Sequence, residues 1–330
     1  MTEAGVASLL RLSFPGDRPA IRAIAGEAHA RLAEALAALS GDDRTRLQQI
    51  PLERAIEIVD SYPRQRLTQV LAKGVPQLER ELLSAGGEEW SVAFRRLLLL
   101  GLLVGLPERK PMWRIPEVVW RTAEDGFRAL LEDLSVSPPA RWNDGDFKKD
   151  LAAAQLRAIP VNGRICEVAI RQVRNDARDA TLAERLRLVA YLRTRYWRRA
   201  WWLTSHSWRG FRPARQEAWG VFEINVAALA AVNPEVVGRV GGGWLYDPHL
   251  ASITPRLSER STGMVSIGAR RFRGVESAET TRLALATSGA RRKLYEEGLY
   301  RPRNWWVAIR RDDLMRWAEA EWKQEERGHA

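Results

Sequence analysis

The sequence is poor in cysteine, in lysine and in long apolar runs. Cys166 is its one cysteine among 330 residues, which excludes an internal disulfide and a cysteine-rich zinc site. The most apolar run, Leu97 to Leu106, is much shorter than the roughly 20 residues that span a bilayer. The first residues lack the basic start and apolar stretch of a signal peptide. These features predict a soluble, cytoplasmic protein with no membrane partner.

Positive charge is concentrated in the second part of the chain. The chain carries 52 lysines and arginines against 41 aspartates and glutamates. Residues 1–138 hold 18 of these basic and 19 of the acidic residues, whereas residues 139–330 hold 34 and 22. The second part also holds eleven of the 14 tryptophans. A GC-rich genome would explain why 46 basic residues are arginine, but not why their excess lies in one part. Such a concentration is typical of nucleic-acid-binding surfaces.

The pattern of apolar residues predicts a mainly α protein with two domains. Residues 1–138 are expected to form a helical bundle or a set of helical hairpins, because apolar residues recur at helical spacing. A turn-rich segment near Pro139 predicts the domain boundary, with a long surface loop as the alternative. Residues 139–330 are expected to be mainly helical, with two helices around a turn at 160–163. Short extended elements are expected at 112–115 and, as a small β element, between Gly220 and Gly274.

The segment from Arg195 to Arg215 holds six arginines and four tryptophans. A helix is predicted to enter it and to run to Leu203, with a core face of Leu182, Leu186, Val189, Leu192, Tyr196, Ala200 and Leu203. The opposite face would carry Arg187, Tyr191, Arg195, Arg198 and Trp202, and Arg209, Arg212 and Arg215 follow in the next segment. Guanidinium groups fit phosphates and aromatic rings stack on bases. The alternative is that Tyr191 and Trp202 pack inside the protein, with the arginines at the rim.

The C-terminal region has a second basic arrangement, between Thr287 and Trp322. A capped basic helix ending at Gly298 is followed by a turn, by the extended segment "WWVAI" and by a further helix. This order of elements resembles the excisionase-type winged-helix domains, which bind DNA. The resemblance covers about a tenth of the chain, and unrelated helical hairpins are the alternative. It implies contacts with the DNA backbone from Arg291, Arg292, Lys293, Arg301 and Arg303.

The sequence offers little for catalysis, and no cofactor is predicted. It has no phosphate loop, no paired dinucleotide-binding glycines and no HExxH motif. The glycines of Val240 to Trp244 form a lone Gly-rich turn, without the lysine and helix of a nucleotide site. One catalytic alternative is a set of oxygen and imidazole groups that could hold a divalent metal for phosphodiester hydrolysis. This set comprises Glu223, Asp247 and His249.

Charge, aromatic content and motifs together favour a non-enzymatic nucleic-acid-binding protein, with DNA as the preferred partner. Residues 139–330 would bind the phosphate backbone, and residues 1–138 would contact protein partners. Such a chain would serve as a subunit of a larger DNA-handling assembly, for example in a mobile-element or defence system. The alternatives are the metal-dependent nuclease and a protein-interaction scaffold.

Overall fold

The chain forms two compact units. The computed structural model describes residues 10–60, 75–137, 139, 145–169, 182–192, 201–208, 216–274, 276–286 and 288–328. The N-terminal unit comprises Ser8–Glu167 and His206–Phe211, and the C-terminal unit comprises Val168–Ser205 and Arg212–Ala330. The apolar residues Leu151 and Ile165, which follow the turn-rich segment near Pro139, are buried in the N-terminal unit. The domain boundary near Pro139 stays a prediction.

The described part of the N-terminal unit is mainly helical up to residue 154. Its helices are α1 (Pro19–Ala37), α2 (Gly41–Gln49), α3 (Leu52–Asp60), α4 (Val75–Val104), α5 (Glu117–Val136) and α6 (Gly145–Ala154). Short 3-10 turns lie at Pro15–Asp17 and Leu106–Glu108. Ser40 caps α2 by accepting a hydrogen bond from the backbone N–H of Asp43 at 3.1 Å, and serine is a favourable residue at this position. The apolar run of α4 is buried and forms core, with Leu98 and Leu102 fully covered.

A β-hairpin replaces one of the two helices predicted around residues 160–163. Strand β1 (Ile159–Val161) pairs antiparallel with β2 (Arg164–Ala169), and Asn162 and Gly163 form the turn. Both turn residues have positive φ, 46° and 70°. An Asn-Gly pair adopts this conformation at little cost and favours a two-residue hairpin. The strand predicted at 112–115 is also wrong, since these residues form bends and coil.

The C-terminal unit combines helices with most of the sheet. Its helices are α7 (Leu182–Leu192), α8 (Gln216–Val232), α9 (Leu250–Ile253), α10 (Pro255–Ser266), α11 (Ala278–Leu285), α12 (Gly289–Glu296) and α13 (Arg311–Gly328). Its strands are β3 (Trp201–Ser207), β4 (Val236–Gly243), β5 (Arg270–Arg273) and β6 (Trp305–Arg310), and a 3-10 turn lies at Trp244–Tyr246. The mainly α class is confirmed, and the arrangement of the N-terminal helices as a bundle stays a prediction.

Among the described strands, β1 pairs with β2, and the strands of the C-terminal unit lie in the order β3-β4-β6-β5. Strand β4 lies parallel to β3 and antiparallel to β6, and β5 pairs antiparallel with β6. The small β element predicted between Gly220 and Gly274 is present as β4 and β5, but Gly220–Asn225 belongs to helix α8. The extended "WWVAI" segment is strand β6, as predicted.

The glycines of β4 make room for aromatic rings. A Cβ atom on Gly238 would lie 2.5 Å from the Trp202 ring, and one on Gly242 would lie 2.6 Å from the Trp306 ring. A Cβ on Gly241 would approach the Tyr246 hydroxyl to 2.5 Å. Gly241 and Gly242 of the "VGGG" sequence are therefore explained by close packing of rings against the strand backbone, whereas Gly243 has a positive φ of 145°.

No helix in the described residues is long and apolar enough to cross a membrane.

Candidate nucleic-acid interface

Two exposed arginines flank the ring of Tyr191 in the C-terminal unit. The guanidinium carbon of Arg270 lies 4.9 Å from the centroid of this ring, and that of Arg310 lies 4.7 Å from it. Both arginines are exposed, whereas Tyr191 is 5% exposed. We call Tyr191, Arg270 and Arg310 the Tyr191 cluster. Its geometry holds two cations at the surface against a covered aromatic platform.

The secondary structure positions the three residues, and hydrogen bonds hold the guanidinium group of Arg310. Tyr191 lies in the last turn of α7, Arg270 begins β5 and Arg310 ends β6. The Nε and Nη2 atoms of Arg310 donate to the carbonyl oxygen of Tyr191 at 3.3 and 3.1 Å. The Arg310 backbone N–H also donates to the Tyr191 hydroxyl at 3.2 Å. Burial raises the pKa of this phenol, so the hydroxyl stays neutral at physiological pH and the ring carries no charge.

The Tyr191 cluster leaves its cations available to an external anion. Among the described residues, neither Arg270 nor Arg310 forms an ion pair with a carboxylate. Arg187 is also exposed on α7, one helical turn before Tyr191, and it too lacks an ion pair within the described part of the chain. A guanidinium group that is not bound to a protein carboxylate can donate two parallel hydrogen bonds to the oxygens of a phosphate group.

The predicted long helix does not extend to Leu203, and its faces differ in part from those predicted. The described part of helix α7 is Leu182–Leu192, and residues 201–207 form strand β3. Tyr191 and Trp202 pack inside, together with Val240, Phe272 and Ala308. The predicted core residues Leu182 and Leu186 are instead 73% and 60% exposed. The helical spacing of apolar residues gave a wrong prediction for Trp202. Its ring packs against Gly238 of β4, and this contact between distant residues cannot be recognised from helical spacing. Arg195, Arg198, Arg209, Arg212 and Arg215 lie outside the described residues.

Two of the tryptophans in the Arg/Trp-rich segment, Trp202 and Trp208, are buried in the protein. Trp202 belongs to the core of the C-terminal unit. Trp208 belongs to the N-terminal unit, where its Nε1 donates to Asp150 Oδ1 at 2.8 Å and its ring lies close to Gly126. Nearby in the same unit, His206 Nε2 lies 2.7 Å from Glu167 Oε1. These two tryptophans therefore follow the interior alternative that the sequence left open.

Arg291 is a structural residue and not an exposed backbone contact. Its side chain is buried, with Nε donating to the Ala284 carbonyl at 2.6 Å and Nη1 to Thr254 Oγ1 at 3.3 Å. The guanidinium carbon lies 4.9 Å from the centroid of the Trp244 ring. Burial lowers the pKa of Arg291. The capped helix was predicted at the correct place, but its buried face includes this arginine.

The other predicted C-terminal cations differ in availability. Arg292 is exposed and donates to the carbonyl oxygens of Leu285 and Ala286, at 2.8 and 3.2 Å. Exposed Lys293 lies 3.9 Å from a carboxylate oxygen of Glu297, a separation that holds the ammonium group only weakly. Arg301 is exposed.

Arg303 is only partly exposed, because the structure pairs it with Glu276. Of the five cations implied by the winged-helix resemblance, Arg292, Lys293 and Arg301 are therefore at the surface. Strand β6, which corresponds to the expected wing, is paired on both sides, with β4 and β5.

The metal-ligand set proposed for a nuclease does not come together. Glu223 is fully buried and pairs with Arg239, whose Nε lies 2.7 Å from Glu223 Oε2. Asp247 is buried and lies 2.8 Å from His249 Nδ1, and it also accepts the backbone N–H of His249 at 3.0 Å. In the described part of the chain, no group of three histidine, cysteine, aspartate or glutamate residues could hold a metal ion. Glu223 contacts Arg239, and Asp247 contacts His249, so these residues take part in separate local interactions.

The sequence analysis missed Arg270 and Arg310. Both arginines border apolar strand residues, in "RRFR" and in "AIRR". Alternation along β5 also separates exposed Arg270 from Arg271, which donates to Ser261 Oγ at 2.6 Å. The signal available in the sequence was a strand pattern with an arginine at one end. No local pattern indicates that Tyr191 contacts the arginines of both strands.

Comparison with family models, with curated proteins and with solved structures found no match.

Proposed function

We propose that the C-terminal unit binds the phosphate backbone of nucleic acid, with DNA preferred, through the Tyr191 cluster and Arg187. The observation that carries the proposal is the pair of exposed guanidinium groups that Tyr191 positions. An aromatic platform limits the conformational freedom of both arginines, so less entropy is lost when a phosphate is bound. The protein acts by binding and not by catalysis.

The distribution of charge between the two units supports this proposal. The N-terminal unit, as bounded above, has 24 lysines and arginines and 22 aspartates and glutamates, which leaves 28 and 19 for the rest of the chain. Most of the excess positive charge therefore lies outside the N-terminal unit. Such an excess of positive charge attracts a polyanion over a long range, and salt weakens this attraction by screening the charges.

The arginines of the proposed interface are not engaged by carboxylates, whereas other arginines in both units are, such as Arg282 and Arg316 in the C-terminal unit. In the N-terminal unit, Arg18, Arg31 and Arg46 each form an ion pair with a carboxylate. Arg187, Arg270 and Arg310 form none within the described residues. On α12, Arg292 and Lys293 add exposed positive charge, and Arg301 follows the helix. We include these three as a further basic surface, and the winged-helix resemblance is the basis for expecting backbone contacts there.

We assign protein contacts to the N-terminal unit, within a larger DNA-handling assembly such as a mobile-element or defence system. Its surface displays apolar side chains that a partner could cover, since Phe14 is 62% and Val136 is 80% exposed. Exposed apolar groups and a near balance of charge suit protein contact better than nucleic-acid contact.

Salt-dependent binding of labelled DNA tests the function directly. The double variant Arg187→Gln/Arg270→Gln should weaken binding to every duplex sequence, because both lost cations neutralise phosphates and not bases. The slope of log K against log salt should fall in magnitude by about 0.9 for each lost contact. Fluorescence anisotropy over a range of salt concentrations measures both the affinity and the slope.

The matched control is Arg22→Gln/Arg80→Gln, which removes two exposed cations of the N-terminal unit. It changes the net charge equally and should leave the slope unaltered. Equal effects of the two double variants would contradict a local interface. Parallel titrations with single-stranded DNA and with duplex RNA test the preference for DNA, which weaker binding to duplex DNA would overturn.

A further inference from the structure

A polar cleft in the N-terminal unit has the lining of an anion site. The cleft has a volume of about 230 Å³ and is lined by Asp60, Arg109, Lys110, Met112, Gln155, Leu156 and Arg157. Three cations and one carboxylate give this lining a net positive charge. The volume lies below the range of drug-sized pockets and suits a small ligand.

Hydrogen bonds fix the wall of the cleft around Asp60. Arg109 Nη1 donates to Asp60 Oδ1 at 2.8 Å, and Gln155 Nε2 donates to the same oxygen at 2.9 Å. Gln155 Nε2 also lies 2.9 Å from the carbonyl oxygen of Val59, which accepts from Arg157 Nη2 at 3.0 Å. The single acidic group is thus already bound by protein donors, and Lys110 at the exposed rim forms no ion pair within the described residues.

A buried acceptor in this wall has no protein donor. Gln155 is 6% exposed, and its Oε1 atom forms no hydrogen bond. A buried carbonyl oxygen without a donor is costly, and a ligand that donates to it would recover that free energy. The cleft therefore calls for a ligand that combines an anionic group, for the cations, with a hydroxyl group, for Gln155.

The end of α6 places these side chains in the cleft. Leu156 has a φ of 55°, in the left-handed region that leucine rarely adopts. Its side chain is fully buried, and its carbonyl oxygen accepts the Met112 N–H at 3.3 Å. This residue therefore holds a strained turn in place, with Gln155 and Arg157 on either side of it.

We propose that this cleft binds a small phosphate monoester that carries a hydroxyl group. The phosphate faces the cations of Arg109, Lys110 and Arg157, and the hydroxyl donates to Gln155 Oε1. Phosphate is favoured over a single carboxylate because several cations line the cleft and a phosphate monoester offers three acceptor oxygens. Two sources share this chemistry, a free sugar or polyol phosphate and the 5′-phosphorylated end of a nucleic acid strand.

Calorimetric titration of the full chain with glycerol 3-phosphate tests the proposal. Glycerol 3-phosphate should bind saturably and more tightly than inorganic phosphate, and glycerol should not bind. Lys110→Gln should weaken the binding by about tenfold, the size expected for one charge-assisted contact. Arg80→Gln removes an exposed cation outside the cleft lining and should leave the affinity unchanged. Thermal denaturation of each variant shows whether it is folded.

Three results would overturn the proposal: no saturable binding of glycerol 3-phosphate, equal affinity for inorganic phosphate, or equal losses in the two variants. A 5′-phosphorylated and a 5′-hydroxyl oligothymidylate distinguish the two sources. If the strand end is the ligand, the phosphorylated oligonucleotide binds more tightly than glycerol 3-phosphate, and Lys110→Gln removes the difference between the two oligonucleotides. If a free ester is the ligand, the two oligonucleotides bind alike. Failure here leaves the Tyr191 cluster unaffected, because its variants and probes differ.

Discussion

Individual arginines in this protein serve opposite purposes, and their surroundings decide which. Arg239 and Arg291 are buried and hold internal contacts, whereas Arg270 and Arg310 are exposed beside Tyr191. Composition alone treats all four as positive charge. An exposed guanidinium keeps its hydration and can exchange it for phosphate, but a buried one must be satisfied by protein groups. The net charge of the chain therefore overstates the number of cations available to a partner.

The buried Glu223–Arg239 pair provides a prediction about stability. Arg239→Met should lower the free energy of unfolding by about 3–5 kcal/mol, because it leaves the Glu223 charge buried without its cation. The double variant Glu223→Leu/Arg239→Met should lose less than the sum of the two single variants. Urea unfolding measures all three, with exposed Arg292→Met as the control. Additive losses would mean that the two charges do not stabilise each other.

At the scale of elements, the start of α5 is anchored by ion pairs. Arg18 forms ion pairs with Glu117 and Glu124 of α5, and Ser13 Oγ donates to Glu117 Oε2 at 3.2 Å. Burial opposes ionisation of Glu117, but the hydrogen bond and the charge of Arg18 outweigh it and lower the pKa of this carboxyl below its ordinary 4.5. The positive end of the helix dipole acts in the same direction.

This anchor predicts loss of stability in acid. Because the folded pKa of Glu117 is depressed, its contribution is present above the ordinary value and is lost as the pH falls through the folded pKa. Glu117→Gln should be less stable than the wild type at pH 7, and the gap between the two proteins should narrow towards pH 3. Urea midpoints at both pH values test this. Glu57→Gln, at an exposed residue without an ion pair in the described structure, should keep a constant gap.

Elements were predictable where local signals agreed with burial. The helices α1 and α13, the cap at Ser40 and the strand "WWVAI" follow from spacing and cap residues. The hairpin at Asn162 was missed because its flanking residues also suit a helix, although the Asn-Gly turn was a strand signal.

The candidate interface was less accessible from the sequence than the elements. Arg187 and Tyr191 were named, yet their neighbours Arg270 and Arg310 lie far along the chain. Pairing of β5 with β6 brings these two arginines to Tyr191. Such contacts depend on long-range pairing that no local pattern records.

For the whole molecule, the nucleic-acid-binding function and the nuclease alternative differ in whether the protein cleaves DNA. Supercoiled plasmid incubated with the protein and Mg²⁺ or Mn²⁺ should remain intact, because Glu223 is held by Arg239 and does not join Asp247 and His249. Gel electrophoresis of the plasmid measures this. Cleavage that is lost in a folded His249→Ala variant would restore the nuclease alternative, since loss of a ligand abolishes turnover while backbone affinity remains.

The glycine-rich strand β4 has a consequence for how this sequence can diverge. Each of Gly238, Gly241 and Gly242 already faces an aromatic ring at a distance that excludes even a methyl group. Any single substitution at these positions enlarges the residue, so there is no neutral first step. At Gly241 and Gly242, change must begin with a smaller residue in place of Tyr246 or Trp306, and only then can the facing glycine vary. Gly238 is constrained further, because a Cβ atom there would also lie 2.4 Å from the backbone oxygen of Ile309, which a smaller residue at Trp202 does not remove. Diverged copies of this chain should therefore gain a side chain on the strand only where they have lost the ring that faces it.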